Sequence, residues 1–204
     1  MTHELTLSDA HEYALDGRPI PGVTSILGDV LRGSDWQAQA WYLDRGTAVH
    51  AAAALVMQGR DSGYDFDPVI AGQVEAARRF KREVQPEVIA VECAVAHVGL
   101  WYAGTIDMVC KIDGKLAIVD WKASHRSSVA YQLTAYALAW SDQDERGRFP
   151  ATGYEVILSD AGTYHMTPYR LTDHIRDWHA IRRVFEMRRA LKCPVVTQEQ
   201  EGEI

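Results

Sequence analysis

Two aspartates and a lysine could form a metal-dependent catalytic site where two predicted strands meet. Asp120 and Lys122 end the apolar run 116–119, and the alternation of a strand puts both side chains on one face. Asp107 lies in the apolar run before it, and Asp113-Gly114 between the runs is a strong signal for a two-residue hairpin turn. Such a turn sets Asp107 directly opposite Asp120, which predicts a pair of adjacent carboxylates.

Two carboxylates opposed in an apolar hairpin need a cation between them. Directly opposed side chains lie about 4.5–5.5 Å apart at Cβ, where like charges are destabilising. The other positions are apolar on both faces, with Ile106, Met108 and Cys110 expected on one and Val109, Leu116 and Ile118 on the other. Such strands belong in a covered sheet, where charged groups are paired or bind metal. The alternatives are an ion pair between Asp120 and Lys122, or a three-residue turn that separates the carboxylates.

The elements around this hairpin indicate a single domain of the α/β class, α+β type. Helices are followed by three strands, a helix, two strands and a last helix, which is typical of a mixed sheet flanked by helices. The length of 204 residues suits one well-buried domain. We expect it to span residues 1–204, with 1–45 as an N-terminal extension of a hairpin and helices and 193–204 as a polar tail.

The composition is that of an intracellular globular protein. Its hydrophobic content of 47% and charged content of 24% are ordinary. The three cysteines are scattered without a Cys-x-x-Cys pair, which indicates thiols in a reducing cytoplasm. The apolar runs are shorter than a membrane span, and the first residues lack the basic and apolar regions of a signal peptide. We therefore expect a cytoplasmic protein without a membrane partner.

The net charge of −7 argues against a protein that coats nucleic acid. It leaves open an enzyme that holds phosphates through metal ions, because local charge matters more than the sum. The chain also carries two basic clusters: Arg78, Arg79, Lys81 and Arg82, then Arg182, Arg183, Arg188, Arg189 and Lys192. Charge alone leaves each cluster as either a solvated helix face or a DNA contact.

Four further residues could contribute to the site. His50 lies on a helix predicted over 46–57, where a packed core histidine is the alternative to a metal ligand. Gln132 and Tyr136 are four residues apart on the helix predicted after Lys122, so they share one face, either in the site or as a polar rim. Glu92 is a further acid near the site or a charge at the sheet edge.

Four motifs, taken in order, resemble those of the PD-(D/E)XK nuclease superfamily. More narrowly they resemble its RecB-like exonuclease branch, which has a helical histidine and a Gln-x-x-x-Tyr helix. The motifs are Gly46-Thr47-Ala48-Val49-His50, Gly104-Thr105-Ile106-Asp107, Asp120-Trp121-Lys122 and Gln132-Leu133-Thr134-Ala135-Tyr136. With residues 21–27, which resemble the opening segment of small standalone members, the resemblance spans 20–169. It implies a restriction-endonuclease-like core.

The resemblance also implies roles for the residues of the site. The implied metal ligands are His50, Asp107, Asp120 and the carbonyl of Trp121, with Glu92 as a further candidate. Lys122 would orient or activate the attacking water, which makes Asp107, Asp120 and Lys122 the catalytic residues. Gln132 and Tyr136 would hold DNA or the lysine.

This site chemistry suits phosphodiester hydrolysis, which needs a neutralised phosphate and a nucleophile at neutral pH. Hard oxygen ligands favour one or two Mg²⁺ or Mn²⁺ ions. Some RecB-like relatives carry a four-cysteine iron–sulfur cluster, which three cysteines exclude. We therefore expect a metal-dependent exonuclease on single- or double-stranded DNA with an end, loaded by this domain, a homo-oligomer or a protein partner. A structure-selective or restriction-like endonuclease, a silent DNA-binding member and an unrelated phosphatase are the alternatives.

Overall fold

The computed structural model describes residues 3–8, 12–31 and 40–191 of the chain, and in these ranges eight strands form two sheets. The strands are β1 (Leu5–Leu7), β2 (Tyr13–Leu15), β3 (Arg18–Ile20), β4 (Glu87–His97), β5 (Tyr102–Ile112), β6 (Lys115–Lys122), β7 (Thr152–Leu158) and β8 (Tyr164–Arg170). The last five form the central sheet in the order β4-β5-β6-β7-β8. Only β6 and β7 pair in parallel in this sheet, so it is mixed.

Helices cover both faces of the central sheet. They are α1 (Val23–Leu31), α2 (Ala40–Gln58), α3 (Ala71–Val84), α4 (Val129–Gln143) and α5 (Ile175–Leu191), with short 3₁₀ helices at Pro68–Ile70 and Leu171–His174. The first core lies under α2 and α3, where Phe80 meets Trp121 edge-on at 5.3 Å between ring centroids. The second core lies under α1, α4 and α5, where Tyr102 meets Trp178 at 5.0 Å. The predicted mixed sheet flanked by helices is confirmed.

The register of the β5–β6 hairpin is the one that the sequence predicts. Ile112 pairs with Lys115, and the pairing continues to Met108 and Val119. The turn uses φ values of 50° at Asp113 and 73° at Gly114, the left-handed pair of a type I′ turn. Continuing this register by one residue places Asp107 beside Asp120.

Near Asp107 the side chains of β5 stop alternating regularly between the two faces of the sheet. Ile106 therefore lies on the opposite face from Met108, and the prediction that they share a face is wrong. Ile106 packs in the second core together with Val109, whereas Met108 packs in the first. The pairing of β5 with β6 ends at Met108, and the next residues pair only with β4, whose own backbone is irregular there. A regular alternation therefore fails as a guide at this point of the strand.

Strand β4 is irregular at two points: its register with β5 shifts between Val88 and Ala90, and Glu92 has an unusual backbone conformation. Its φ of 47° is in the left-handed region, which costs a non-glycine residue about 1–3 kcal/mol when it is held there. Val91 packs against the first core and Cys93 against the second. Residues two apart in a regular strand face the same side, so the alternation of β4 changes at Glu92. The backbone of β4 is thus irregular beside the acidic residues of the neighbouring strands.

The N-terminal strands β1, β2 and β3 form a small antiparallel sheet beside the central one. The amide of Ala103 donates to the carbonyl of Pro21 at 2.9 Å, and Gly22 forms a parallel bridge with Ala103. Leu15 packs in a third apolar cluster with Ala103. These contacts fix the small sheet against the end of β5.

The N-terminal boundary predicted at residue 45 falls inside α2. In the described residues this helix runs from Ala40 through Gly46, where the sequence predicts a new helix. A glycine costs a helix interior only about 1 kcal/mol, which the packing of the helix can offset. Strand β1 was not predicted, and the predicted tail 193–204 lies outside the described residues. None of the helices in the described ranges combines the length and apolar character needed to cross a membrane.

Replacing Gly114 tests the turn that fixes the register, and replacing Gly28 in α1 is the control. We expect Gly114→Ala to destabilise the protein by about 1–2 kcal/mol because it forces a side chain into the left-handed region. A Cβ there would meet nothing within 4 Å, so the cost is conformational. Gly28→Ala in α1 also meets nothing within 4 Å and should stabilise by up to about 1 kcal/mol. Urea unfolding measures both; shifts of the same sign would contradict this account of the turn.

Candidate metal centre

A cleft of about 520 Å³ opens where α2, α4 and strands β4–β6 meet. The side chains that the sequence predicts for the site all line it: His50, Glu92, Asp107, Asp120, Lys122, Gln132 and Tyr136. Residues from the N-terminal part of the chain, among them Leu7 and Tyr13, line it as well. The fold therefore gathers residues from helices, strands and the small sheet into one cavity.

Asp107 is the centre of this group. It is buried, and its two carboxylate oxygens contact His50 Nδ1 at 3.1 Å and the backbone amide of Trp121 at 2.7 Å. Burial opposes ionisation of Asp107, but His50, Lys122 and the Trp121 amide prevail and lower its pKa. The carboxylate is therefore charged, and Trp121 reaches the site through its main chain.

His50, Glu92 and Asp107 form a group that could hold a metal ion. One ligand atom from each lies within 4.8 Å of the others. Burial alone would lower the pKa of His50, but the neighbouring Asp107 prevails and raises it. Glu92 belongs to this group and has a left-handed backbone conformation. Backbone strain of this kind is common at functional sites.

Asp120 and Lys122 lie next to this group. Burial raises the pKa of Asp120 to about 6; Lys122 opposes the shift and Asp107 adds to it. Burial opposes the charge of Lys122, but the carboxylates of Asp120 and Asp107 prevail and raise its pKa. Lys122 is therefore an ammonium ion in this arrangement, which favours the role of a hydrogen-bond donor over that of a base.

Gln132 and Tyr136 lie beside Asp120 and are linked to it by hydrogen bonds. The side-chain amide of Gln132 donates to Asp120 Oδ1 and to the Tyr136 hydroxyl, at 3.0 Å in each case. Burial raises the pKa of Tyr136 well above its usual value, so the phenol is neutral. The ring lies directly over Gly104, where an added Cβ would be 2.4 Å from Tyr136 Cε1. This contact explains the glycine three residues before Asp107.

The donor set fits a divalent cation that prefers oxygen ligands. Two buried carboxylates and the Glu92 carboxylate converge with one imidazole. Oδ2 of Asp120 is buried and forms an ion pair with the ammonium of Lys122, so the ion pair considered as an alternative in the sequence analysis is present. The fit to a metal ion therefore rests on the converging carboxylates and the imidazole.

Two residues near the site were missed by the sequence analysis. Tyr13 lines the cleft from β2, and its hydroxyl lies 2.9 Å from that of Thr105. Glu155 is fully buried on β7, in register with Asp120. A charged residue inside the apolar strand 152–158 was a signal for Glu155, whereas no local pattern connects Tyr13 to a residue so far along the chain.

Glu155 anchors the loop that leads from Lys122 to α4. Its carboxylate accepts hydrogen bonds from the His125 ring at 2.7 Å, the Arg126 amide at 2.9 Å and the Tyr169 hydroxyl at 3.3 Å. The same helix carries Gln132, so this anchor helps to position the support of Asp120. Glu155 is a structural residue one strand away from the candidate ligands.

All but one of the described residues of the two basic clusters lie next to acidic or carbonyl groups; the exception, Arg189, lies over the ring of Phe185. In the first cluster the pairs are Arg78–Asp61, Arg79–Glu83 and Arg82–Glu75, and Lys81 donates to the Val56 carbonyl. In the second they are Arg182–Glu186, Arg183–Glu186 and Arg188–Asp29. Most of these basic groups are therefore paired within the protein.

Comparison with known families gives one match over most of the chain. A sequence model of the PD-(D/E)XK nuclease superfamily matches residues 67–199, about two thirds of the chain. The match includes Glu92, Asp107, Asp120 and Lys122. His50 and the N-terminal sheet lie before it.

Two curated proteins are similar over shorter segments. Mitochondrial genome maintenance exonuclease 1 from Homo sapiens is 29% identical over 92 residues, which are 44% of this chain and 26% of that protein. The protein of the same name from Mus musculus is 38% identical over 55 residues, 27% of this chain and 16% of that protein. The similarity thus spans about a quarter or less of these relatives.

Among solved structures, an alkaline exonuclease (LHK-Exo) from Laribacter hongkongensis superposes with a TM-score of 0.40 at 12% identity, covering 81% of this chain and 86% of that one. Its complex with dAMP superposes with a TM-score of 0.40 at 15% identity, covering 82% and 86%.

The contact between Gly104 and Tyr136 gives a test of the support for Asp120. We expect Gly104→Ala to destabilise the protein by about 1–3 kcal/mol, because the new methyl group overpacks against the ring. In a Tyr136→Ala background the same change should cost at least about 1 kcal/mol less. Gly99→Ala, whose Cβ would have 3.8 Å to its nearest neighbour, is the control. Urea unfolding of all variants gives the coupling, and strictly additive losses would contradict the contact.

Proposed function

The chain belongs to the PD-(D/E)XK nuclease superfamily, and we propose that it is a divalent-metal-dependent DNA exonuclease. The observation that carries this proposal is the meeting of Asp107, Asp120 and Lys122 in one cleft, beside a histidine and a further acid. A member without catalytic activity would have little reason to keep two buried carboxylates side by side, because their burial and repulsion are costly even beside His50 and Lys122. A silent DNA-binding module is therefore the weaker alternative.

The proposed metal ligands are the side chains of His50, Asp107 and Asp120 and the carbonyl of Trp121, with Glu92 as a further ligand for one of two ions. Oxygen ligands favour Mg²⁺ or Mn²⁺ at this site. When bound, such an ion neutralises charge on the scissile phosphate and makes a water nucleophile available at neutral pH. The choice between the two ions and their number belong to the proposal.

The residues around the ligands hold them in place. The carboxylate of Asp107 is fixed by His50 and by the Trp121 amide, and that of Asp120 by Gln132. Lys122 would donate hydrogen bonds from its ammonium group to the attacking water or to a phosphate oxygen. Such a donor, held at the point where negative charge develops, stabilises the transition state. Tyr136 and Glu155 act at a distance, through Gln132 and through the loop before α4.

An exonuclease is favoured over an endonuclease by the two curated relatives, both of which carry that name. The substrate would be single- or double-stranded DNA with an end, loaded by this domain, a homo-oligomer or a protein partner.

We also propose an intracellular location, because the cysteines are scattered and the two described ones, Cys93 and Cys110, are free thiols. A phosphatase is the alternative from another enzyme class, and activity on a generic phosphomonoester would favour it.

Removal of either charged group of the Asp-x-Lys motif should abolish nuclease activity. We expect Asp120→Ala and Lys122→Ala to slow metal-dependent release of nucleotides at least about a hundredfold, because each removes a charge that acts on the reacting phosphate. The assay uses end-labelled single- and double-stranded DNA in Mg²⁺ and in Mn²⁺, and a closed circular plasmid distinguishes an endonuclease. Lys115→Ala, an exposed lysine on the same strand, should leave the activity unchanged. Activity that survives in both folded variants would refute the proposed function.

His50 should contribute directly to metal affinity. We expect His50→Ala to weaken Mn²⁺ binding about tenfold or more, since it removes a ligand and the partner of Asp107. Titration calorimetry on the folded protein measures the affinity, and His165→Ala, an exposed histidine on β8, is the control. Equal Mn²⁺ affinity in the His50 variant and the unaltered protein would remove His50 from the ligands.

A further inference from the structure

The N-terminal sheet forms an apolar wall of the metal cleft. Leu7 on β1 and Tyr13 on β2 are register partners, so their side chains lie side by side on one face of the sheet. Both line the same cleft as His50, Asp107 and Asp120. Leu7 is 43% exposed, a large fraction for a leucine that lines a cavity.

The ring of Tyr13 is held in a fixed position. Its hydroxyl is hydrogen-bonded to the hydroxyl of Thr105 at 2.9 Å. A Cβ added at Gly22 would lie 3.3 Å from Tyr13 Cε2, so the ring packs closely on this backbone. Burial raises the pKa of Tyr13; the Thr105 hydrogen bond opposes the shift, and Glu92 and Asp107 add to it. The cleft therefore contains a neutral, immobilised aromatic ring close to its acidic groups.

The two sides of the cleft have the chemistry of the two parts of a nucleotide. The carboxylates and the lysine suit a phosphate with its metal ion, whereas an aromatic ring beside a leucine suits a nucleobase. We propose that Tyr13 and Leu7 form a subsite that stacks one nucleobase of the DNA strand whose phosphate lies at the metal centre. This inference rests on the proposed nuclease function, because it assumes that DNA occupies the cleft.

The subsite should accept any base. Every base has a π face, so stacking on an aromatic ring tolerates all four. The hydroxyl of Tyr13 is engaged by Thr105, which leaves the ring rather than a polar group to meet the base. The N-terminal sheet precedes the segment 67–199 that matches the superfamily, so this wall is a feature of this chain outside that match.

Binding to DNA with and without bases tests the subsite. The full chain with Lys122→Ala, in Mn²⁺, is titrated with a labelled oligonucleotide and with one whose terminal nucleotides at both ends are abasic. We expect the abasic ends to weaken binding about tenfold when Tyr13 is present, the loss typical of one stacked base. With Tyr13→Leu, which keeps apolar bulk but removes the ring, the two oligonucleotides should bind alike. Tyr13→Phe should behave as the unaltered residue, and so should Tyr64→Ala, an exposed tyrosine away from the cleft.

The outcomes separate the subsite from the proposed function. Equal discrimination against abasic ends with Tyr13 and with Tyr13→Leu would overturn the subsite, whether or not the enzyme cleaves DNA. If Tyr13→Leu fails to fold, Leu7→Ser on the exposed partner replaces it, and unchanged discrimination in that variant would overturn the paired wall. Base-dependent binding without any cleavage by the unaltered protein would support the subsite and refute the nuclease. A protein that neither binds nor cleaves DNA overturns both.

Discussion

The placement of two carboxylates side by side in a buried strand pair is the constraint on which the structure depends. Asp107 and Asp120 are both nearly inaccessible to solvent. Burial and mutual repulsion disfavour two negative charges there, and the raised pKa of Asp120 reflects both effects. Neighbouring groups compensate these charges. His50 and Lys122 are cations, and Trp121 and Gln132 donate hydrogen bonds to the carboxylates. A divalent ion would add positive charge that compensates the two carboxylates more completely than these groups do.

The fold provides rigid positions for this arrangement. The β5–β6 turn sets the register, and the crossover through α4 brings Gln132 back over Asp120 before β7 pairs in parallel beside it. Glu92 on β4 has a left-handed backbone conformation at the same level. Backbone strain and buried charge thus lie in one row across the sheet, as is common at functional sites. Their energetic cost is offset by the packing of the two cores around them.

The parts of the site that the sequence predicts are those encoded locally. Asp113-Gly114 specifies its turn through backbone conformation alone, so the opposition of Asp107 and Asp120 follows from two residues. The phase change near Ile106 depends on the irregular neighbouring strand, which no periodicity in β5 reveals. Tyr13 reaches the cleft through tertiary contacts with Thr105, 92 positions along the chain. Single-sequence patterns report neighbours along an element and leave such distant contacts out.

The central claim is that the hairpin brings Asp107 and Asp120 together to bind a divalent ion. A crystal structure of the protein grown with Mn²⁺, with anomalous scattering used to locate the metal, tests it most directly. We expect a manganese peak within ligand distance of carboxylate oxygens from both aspartates. Well-ordered side chains in the cleft with no peak between them, or a manganese ion bound only elsewhere, would contradict it.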